Sequence, residues 1–174
     1  VLLITFFLTV IFDLTVAIEV GLLIACVLFM KRVMETTDIS VIKNEIDPNN
    51  ESDLEVHEEH LMVPEGVEVY EINGPYFFGI ATKFEEIMSE LGDRPKVRII
   101  RMRKVPFIDS TGIHNLTNLC EMSKKENIHI VLSGVNEKVH KVLEKAGFYD
   151  LLGEDNICPN INVALEKAKA IVEK

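Results

Sequence analysis

The 174-residue chain is 48% hydrophobic and 26% charged, with a formal net charge of −10. Its length suits one ordinary domain plus an appendage, and its composition excludes both a disordered chain and one wholly embedded in a membrane. So acidic a chain, without a dense basic tract, argues against nucleic-acid binding, because neutralising phosphates takes clustered Lys and Arg.

The charge is segregated. Residues 1–30 carry −2, residues 31–66 carry −7 and residues 67–174 carry −1. The chain therefore reads as an apolar head (1–30), an acidic linker (31–66) and a nearly neutral globular body (67–174). Cys26, Cys120 and Cys158 show no C-x-x-C spacing, so neither a zinc site nor a disulfide framework is suggested, and a reducing, cytoplasmic body is the natural inference.

The head, VLLITFFLTVIFDLTVAIEVGLLIACVLFM, would measure about 45 Å as one straight helix, against roughly 30 Å of bilayer hydrocarbon. Two short helices broken around Asp13 and Leu14 fit better, with Asp13 or Thr15 capping the second. There is no basic n-region, no initiating Met and no small-residue cleavage site, so the head reads as a membrane segment in a piece of a longer chain rather than a signal peptide. Lys31 and Arg32 follow it directly, which by the positive-inside bias puts residues 31–174 on the cytoplasmic side. Asp13 and Glu19 are its candidate intramembrane polar residues, since carboxylates are costly in lipid. Asp13 suits a turn at the far interface, and Glu19 a neighbouring helix beyond this sequence.

Residues 31–66 hold ten acids and a turn at Asp47-Pro48-Asn49-Asn50, so a solvated linker is expected. His57 and His60 flank two glutamates, but H-E-E-H lacks the i, i+4 spacing of a helical zinc pair, and no metal site is expected.

The body is periodic. Val67–Ile72 reads as a strand, Asn73-Gly74-Pro75 as a turn and Tyr76–Gly79 as a second short strand. Thr82 and Glu85 form a capping-box signature ahead of the helical stripe Phe84, Ile87, Met88 and Leu91. Val97–Met102 reads as a buried strand, with Val105–Ile108 continuing toward Asp109. The sequence Asp109-Ser110-Thr111-Gly112 opens a helix burying Ile113, Leu116, Leu119 and Cys120. Ile128–Leu132 is another strand, followed by a helix with Val139, Val142, Leu143 and Ala146 on one face and Gly147 at its end. A last helix carries Ile161, Ala164, Leu165, Ala168, Ile171 and Val172. Strands alternating with helices predict an α/β layer fold with helices covering a mixed sheet.

Three groups of residues in the body carry chemistry. Asp109–Gly112 sits at a strand-to-helix junction, where a small carboxylate or hydroxyl caps free N–H groups and glycine admits close backbone approach. Arg94, Lys96, Arg98, Arg101, Arg103 and Lys104 bring six positive charges into one short stretch. They scatter along an exposed strand edge, or else Arg98, Arg101, Arg103 and Lys104 form an anion-facing patch for the acidic linker, lipid headgroups or an acidic partner. Asp109, Ser110 and His114 have the residue types of a catalytic triad but lack a G-x-S-x-G elbow, so no enzyme is expected.

The string KVPFIDSTGI (104–113), with VPEGV (63–67) and GPYFFG (74–79), resembles the STAS domain, and more narrowly the STAS domain at the C-terminus of SulP-type anion transporters. The apolar head followed by Lys31 and Arg32 resembles the end of that family's membrane domain. The resemblance implies a STAS-like mixed sheet of about four to five strands packed by α-helices and preceded by a short transmembrane helical segment. It implies a parent protein moving an inorganic anion such as sulfate or bicarbonate by secondary transport, with the substrate held in membrane helices this sequence lacks. Its implied partners are the rest of the membrane domain, the lipid bilayer, a cytoplasmic regulatory protein and a second copy in a homodimer. No cofactor is implied, and no G-x-x-x-x-G-K-[ST] loop supports nucleotide binding. STAS domains of anti-sigma-factor antagonists are phosphorylated on the serine matching Ser110, which gives an alternative reading as a phosphorylation-switched interaction module with Thr111 beside it. The membrane segment favours the transporter.

Overall fold

The computed structural model describes residues 1–35, 38–42, 45–46, 61–77, 87 and 94–173. The chain forms two compact units, Val1–Thr36 and Thr37–Lys174.

In the first unit, helix α1 (Leu2–Ile11) and helix α2 (Leu14–Glu35) form an apolar pair. The chain breaks at Phe12 and Asp13, where Asp13 Oδ1 accepts from the Leu14 N–H at 2.6 Å. Asp13 is thus the residue that meets the start of α2. Ala17 is buried, and a Cβ on Gly21 would come within 2.5 Å of Thr5 Cγ2, so small residues let the two helices approach closely. Thr5 and Thr9 return their hydroxyls to the carbonyls of Leu2 and Phe6, at 3.0 and 2.7 Å, which satisfies these two donors in an apolar setting. The second helix is longer than the sequence suggests, because Lys31 through Glu35 continue it. Its 19-residue stretch Leu14–Arg32 is long and apolar enough to cross a membrane, while α1 spans about 15 Å, half that depth.

The second unit is built on a five-stranded sheet in the order β1 (Asp38–Ile42), β4 (Val67–Asn73), β5 (Val97–Arg101), β6 (His129–Ser133) and β7 (Ile157–Cys158). β1 runs antiparallel to β4, and every other pairing is parallel. Strands β2 (Glu45–Ile46) and β3 (Leu61–Met62) make a separate two-stranded ladder. Helices α3 (Ser110–Lys125), α4 (Glu137–Lys145) and α5 (Phe148–Leu152) cover one face, packing Leu116, Leu119, Val139, Leu143 and Phe148 against Tyr70, Ile72, Ile100 and Leu132. Helix α6 (Ile161–Val172) covers the other, with Ile161, Ala164, Leu165 and Ala168 against Val67, Val69, Val97, Ile99 and Val131. Because both faces are covered, β4 and β5 are buried at nearly every position, as parallel sheets require.

Two segments differ from the sequence reading. β1 lies inside the stretch expected to be a solvated linker, where it pairs with β4 from Asp38↔Asn73 to Ile42↔Val69. Five residues among so many acids are too few to show a period, yet Ile39 is buried against the α3 face. Val105–Ile108 does not extend as a strand, and only Ile108 pairs, in a single bridge with Tyr76. The helix expected from Thr82 to Leu91 lies outside the described residues, apart from Ile87, which packs against the α3-side core. Of the short strand expected at Tyr76–Gly79, Tyr76 makes that single bridge, and Phe78 and Gly79 lie outside the described residues.

Candidate functional site

Strands β4, β5 and β6 are parallel, so the loops that follow them gather at one end of the sheet, where open α/β sheets present their sites. Backbone bonds join those loops. Met102 N donates to Ser133 O at 2.8 Å, Gly74 N to Lys104 O at 3.3 Å and Tyr76 N to Phe107 O at 3.0 Å. The Asn136 side-chain amide donates to Val105 O while its oxygen caps α4 through Val139 N at 3.0 Å.

Helix α3 starts on this base. Asp109 is extended, with φ −97° and ψ 175°, and its Oδ1 accepts from Gly112 N at 2.6 Å. Its own N–H donates to Tyr76 O at 3.3 Å. A Cβ on Gly112 would stand 2.5 Å from Tyr76 O and 2.9 Å from Ile108 Cγ1. Glycine is therefore demanded by contact, in addition to the carboxylate demanded by the free N–H groups. Ser110 and Thr111 face solvent beside the buried Gly112. Phe107, 53% exposed, lies parallel to buried Phe77 with ring centroids 6.5 Å apart. The loop thus presents two hydroxyls and an aromatic side chain on a rigid footing, an arrangement suited to contact with another molecule.

Among the described residues of this region, none is placed to activate a nucleophile. His114 Nε2 lies 3.2 Å from Asn118 Nδ2 one turn further along α3. Burial, followed by the Glu121 carboxylate, pushes the Cys120 thiol up to about 12, so it remains a neutral core residue. Burial likewise raises Tyr76 well above the ordinary phenol range.

The four basic residues Arg98, Arg101, Arg103 and Lys104 do not share a surface. β5 is a central strand rather than an edge, and alternation sends Arg98 to the α3 face and Arg101 to the α6 face, both buried. Arg98 is paired in register with Glu68, and Arg101 with Glu71. Arg98 Nη1 reaches Ser123 Oγ of α3 at 3.4 Å, and the Tyr70 hydroxyl donates to Glu68 Oε2 at 2.7 Å. Burial first, then the Glu68 bond and charge, hold Tyr70 well above its ordinary range, against a smaller opposing pull from Arg98. On the opposite face Arg101 Nη1 lies 3.7 Å from Glu71 Oε1, and Lys104 Nζ reaches the same oxygen at 3.3 Å. Arg103 is half-buried against Gly134, and Lys104 is exposed. In the helical unit Asp13 and Glu19 are both exposed.

Glu68 and Glu71 are the residues the sequence reading missed. Their signal is a matched spacing: V-E-V-Y-E in β4 and V-R-I-I-R in β5 place acid and base at the same offsets.

A mixed α/β sheet whose strand-end loops close on a buried glycine beneath an exposed serine defines a module of the STAS class. A family model, STAS domain, matches residues 60–164. The chain belongs to the STAS domain family, in the branch carried by SulP-type sulfate transporters. It is similar to a solved sulfate transporter family protein from Wolinella succinogenes, with 40% identity and a TM-score of 0.64 over 74% of this chain and 100% of that one. Sulfate transporter 1.2 of Arabidopsis thaliana is 29% identical over 166 residues, which is 87% of this chain and 25% of that protein. The murine Solute Carrier 26 family member A9 anion transporter, in its inward-facing state, aligns with a TM-score of 0.69 over 97% of this chain and 28% of its own. At 17% identity, that likeness shows the fold alone. The chain spans about a quarter of the length of curated sulfate transporters that it matches.

Proposed function

We propose that this chain is the last membrane segment and the regulatory STAS domain of a secondary transporter for an inorganic anion such as sulfate or bicarbonate. The observation that carries the reading is the presence, in one chain, of a membrane-length apolar helix and a STAS sheet. Transport itself belongs to the membrane domain of the whole protein, where anions are held between half-helix N-termini. The sheet unit serves its assembly or gating, with the Asp109–Gly112 loop and Phe107 as the face offered to a cytoplasmic regulator. Lys31 and Arg32, at the end of the apolar span, favour a cytoplasmic position for that unit. Asp13 fits the far interface, and Glu19 a neighbouring helix or a second copy of the protein.

Ser110 also supports control by phosphorylation, since its hydroxyl is exposed at the first turn of α3. A phosphate there would add about −1.5 to −2 charges beside Asp109, with the helix N-terminus offsetting part of the repulsion.

The test is sulfate and bicarbonate uptake by the full-length parent in cells lacking their own uptake, with membranes washed at alkaline pH to establish integration. The expected result is an integral membrane protein with saturable uptake of one of these anions, changed at least about twofold by Ser110→Glu at equal surface level. A protein released by the wash overturns the transporter reading. An integral protein whose uptake ignores Ser110→Glu overturns the switch alone.

A further inference from the structure

At the opposite end of the sheet from the Asp109–Gly112 loop, the structure has a half-open cavity of about 300 Å³ between the end of α3, the start of β6 and α5. Its inner wall is apolar, formed by Cys120, Ile130 and Leu152, and its outer wall carries Lys124, Asn127 and Asn156. None of the residues lining it is acidic.

The walls are fixed by the backbone. Helix α3 ends in a turn in which Ile128 N donates to Ser123 O at 2.8 Å, with Asn127 in the left-handed region at φ 59°. This closure sets Lys124 and Ile128 on either side of the helix end. On the far wall Asn156 Nδ2 donates to Leu152 O at 2.6 Å, tying the turn after α5 to the helix itself. Cys120 is buried with its thiol held neutral, so the depth of the cavity offers hydrocarbon-like surface without charge. Polar ligand groups are held by a few convergent donors at the mouth of such a pocket, while the apolar body fills its floor. Among the described residues that line the cavity, Lys124 carries the formal charge, with the amides of Asn127 and Asn156 beside it.

We propose that this cavity binds a small organic anion, a carboxylate with a short hydrocarbon tail, with its head at Lys124 and its tail against Ile130 and Leu152. The site is separate from the strand-end loop, and its occupancy would bear on α3 from the helix's C-terminal end. A carboxylate meeting an ammonium gains a charge-assisted bond that an alcohol of equal length cannot match.

The test uses the whole chain in lipid nanodiscs, isoleucine methyl resonances and hexanoate as the probe. Saturable shifts confined to Ile128 and Ile130 are expected, with hexan-1-ol binding at least about tenfold more weakly. Lys124→Met, an exposed substitution that should leave the thermal midpoint unchanged, is expected to weaken hexanoate about tenfold. Shifts that fail to saturate and spread over α1 and α2 would mean partition into the bilayer and overturn the site. Equal binding by hexan-1-ol, or by the Lys124→Met chain, overturns the assigned head-group contact. Identical shifts with inorganic sulfate overturn the role of the tail.

Discussion

The two faces of the sheet use the same pair of residue types at the same register and give them different surroundings. Glu68 with Arg98 lies on the α3 face, and Glu71 with Arg101 lies on the α6 face, one row of three residues further along both strands. On the α3 face the pair is roofed by a helix, with Ser123 meeting Arg98 and the Tyr70 hydroxyl meeting Glu68. On the α6 face the pair stands at the strand ends, and exposed Lys104 supplies a second cation to Glu71. A charge under a helix depends on its fixed partners, whereas one at an edge can borrow a neighbour or water.

The largest expected effect follows from that contrast. Arg98→Met leaves the Glu68 carboxylate buried without its register partner, and a loss of about 3 to 5 kcal/mol is expected. Arg101→Met leaves Lys104 beside Glu71, so its loss should be at most about half as large. Denaturant unfolding of the two variants decides the matter. Equal losses would mean that the helix roof contributes nothing to the distinction, and a larger loss at Arg101 would reverse it.

The α3 face also holds the tightest backbone approach in the site. Gly112→Ala puts a methyl where only 2.5 Å separates it from Tyr76 O, and backbone cannot swing aside as a flexible side chain can. A loss of about 1 to 3 kcal/mol is expected, together with weaker amide-exchange protection over the first turn of α3. Retained stability would show that α3 tilts freely on the Tyr76–Ile108 bridge. Ala168→Gly on α6 gives the comparison from the other face, costing about 1 kcal/mol through helix propensity without disturbing the strand-end loops.

How much of this was legible depends on how regular the physics is at each point. The strands Val67–Asn73, Val97–Arg101 and His129–Ser133 are rich in β-branched residues, and the helix from Ser110 announces itself through its Asp109 cap and apolar spacing. The junction was legible for the same reason: a cap needs a particular residue type at a particular place. β1 was hidden because an edge strand of five residues takes its register from β4, which no local pattern reveals. Helix α5 and strand β7, of five and two residues, were likewise below the length at which periodicity speaks. The basic stretch misled as a surface because counting charges ignores alternation: Arg98 and Arg101 are three apart, which in a strand means opposite faces. Finding their partners required pairing β4 with β5, a tertiary fact.

The faces differ finally in what they hold that can ionise. Tyr70, Tyr76 and Cys120 belong to the α3-side core, whereas the described core residues under α6 include the Cys158 thiol and no tyrosine. Burial raises each of the three above its ordinary range, Cys120 to about 12. A raised folded value means that the folded chain keeps a proton the unfolded chain gives up. The resulting stability is complete below the unfolded values, near 8.5 for the thiol and 10 for the phenols, and drains as pH rises through the folded ones. Unfolding free energy should therefore begin to fall at about pH 8.5 and fall more steeply above about pH 10, by up to about 1.4 kcal/mol per pH unit for each group. Phenolate absorbance should show Tyr70 and Tyr76 ionising only as the fold is lost, and amide exchange should rise first over α3. Ionisation of both buried phenols near pH 10 in a chain that keeps its circular dichroism would refute the closed α3 face, and exchange rising first over α6 would place the weaker face on the other side of the sheet.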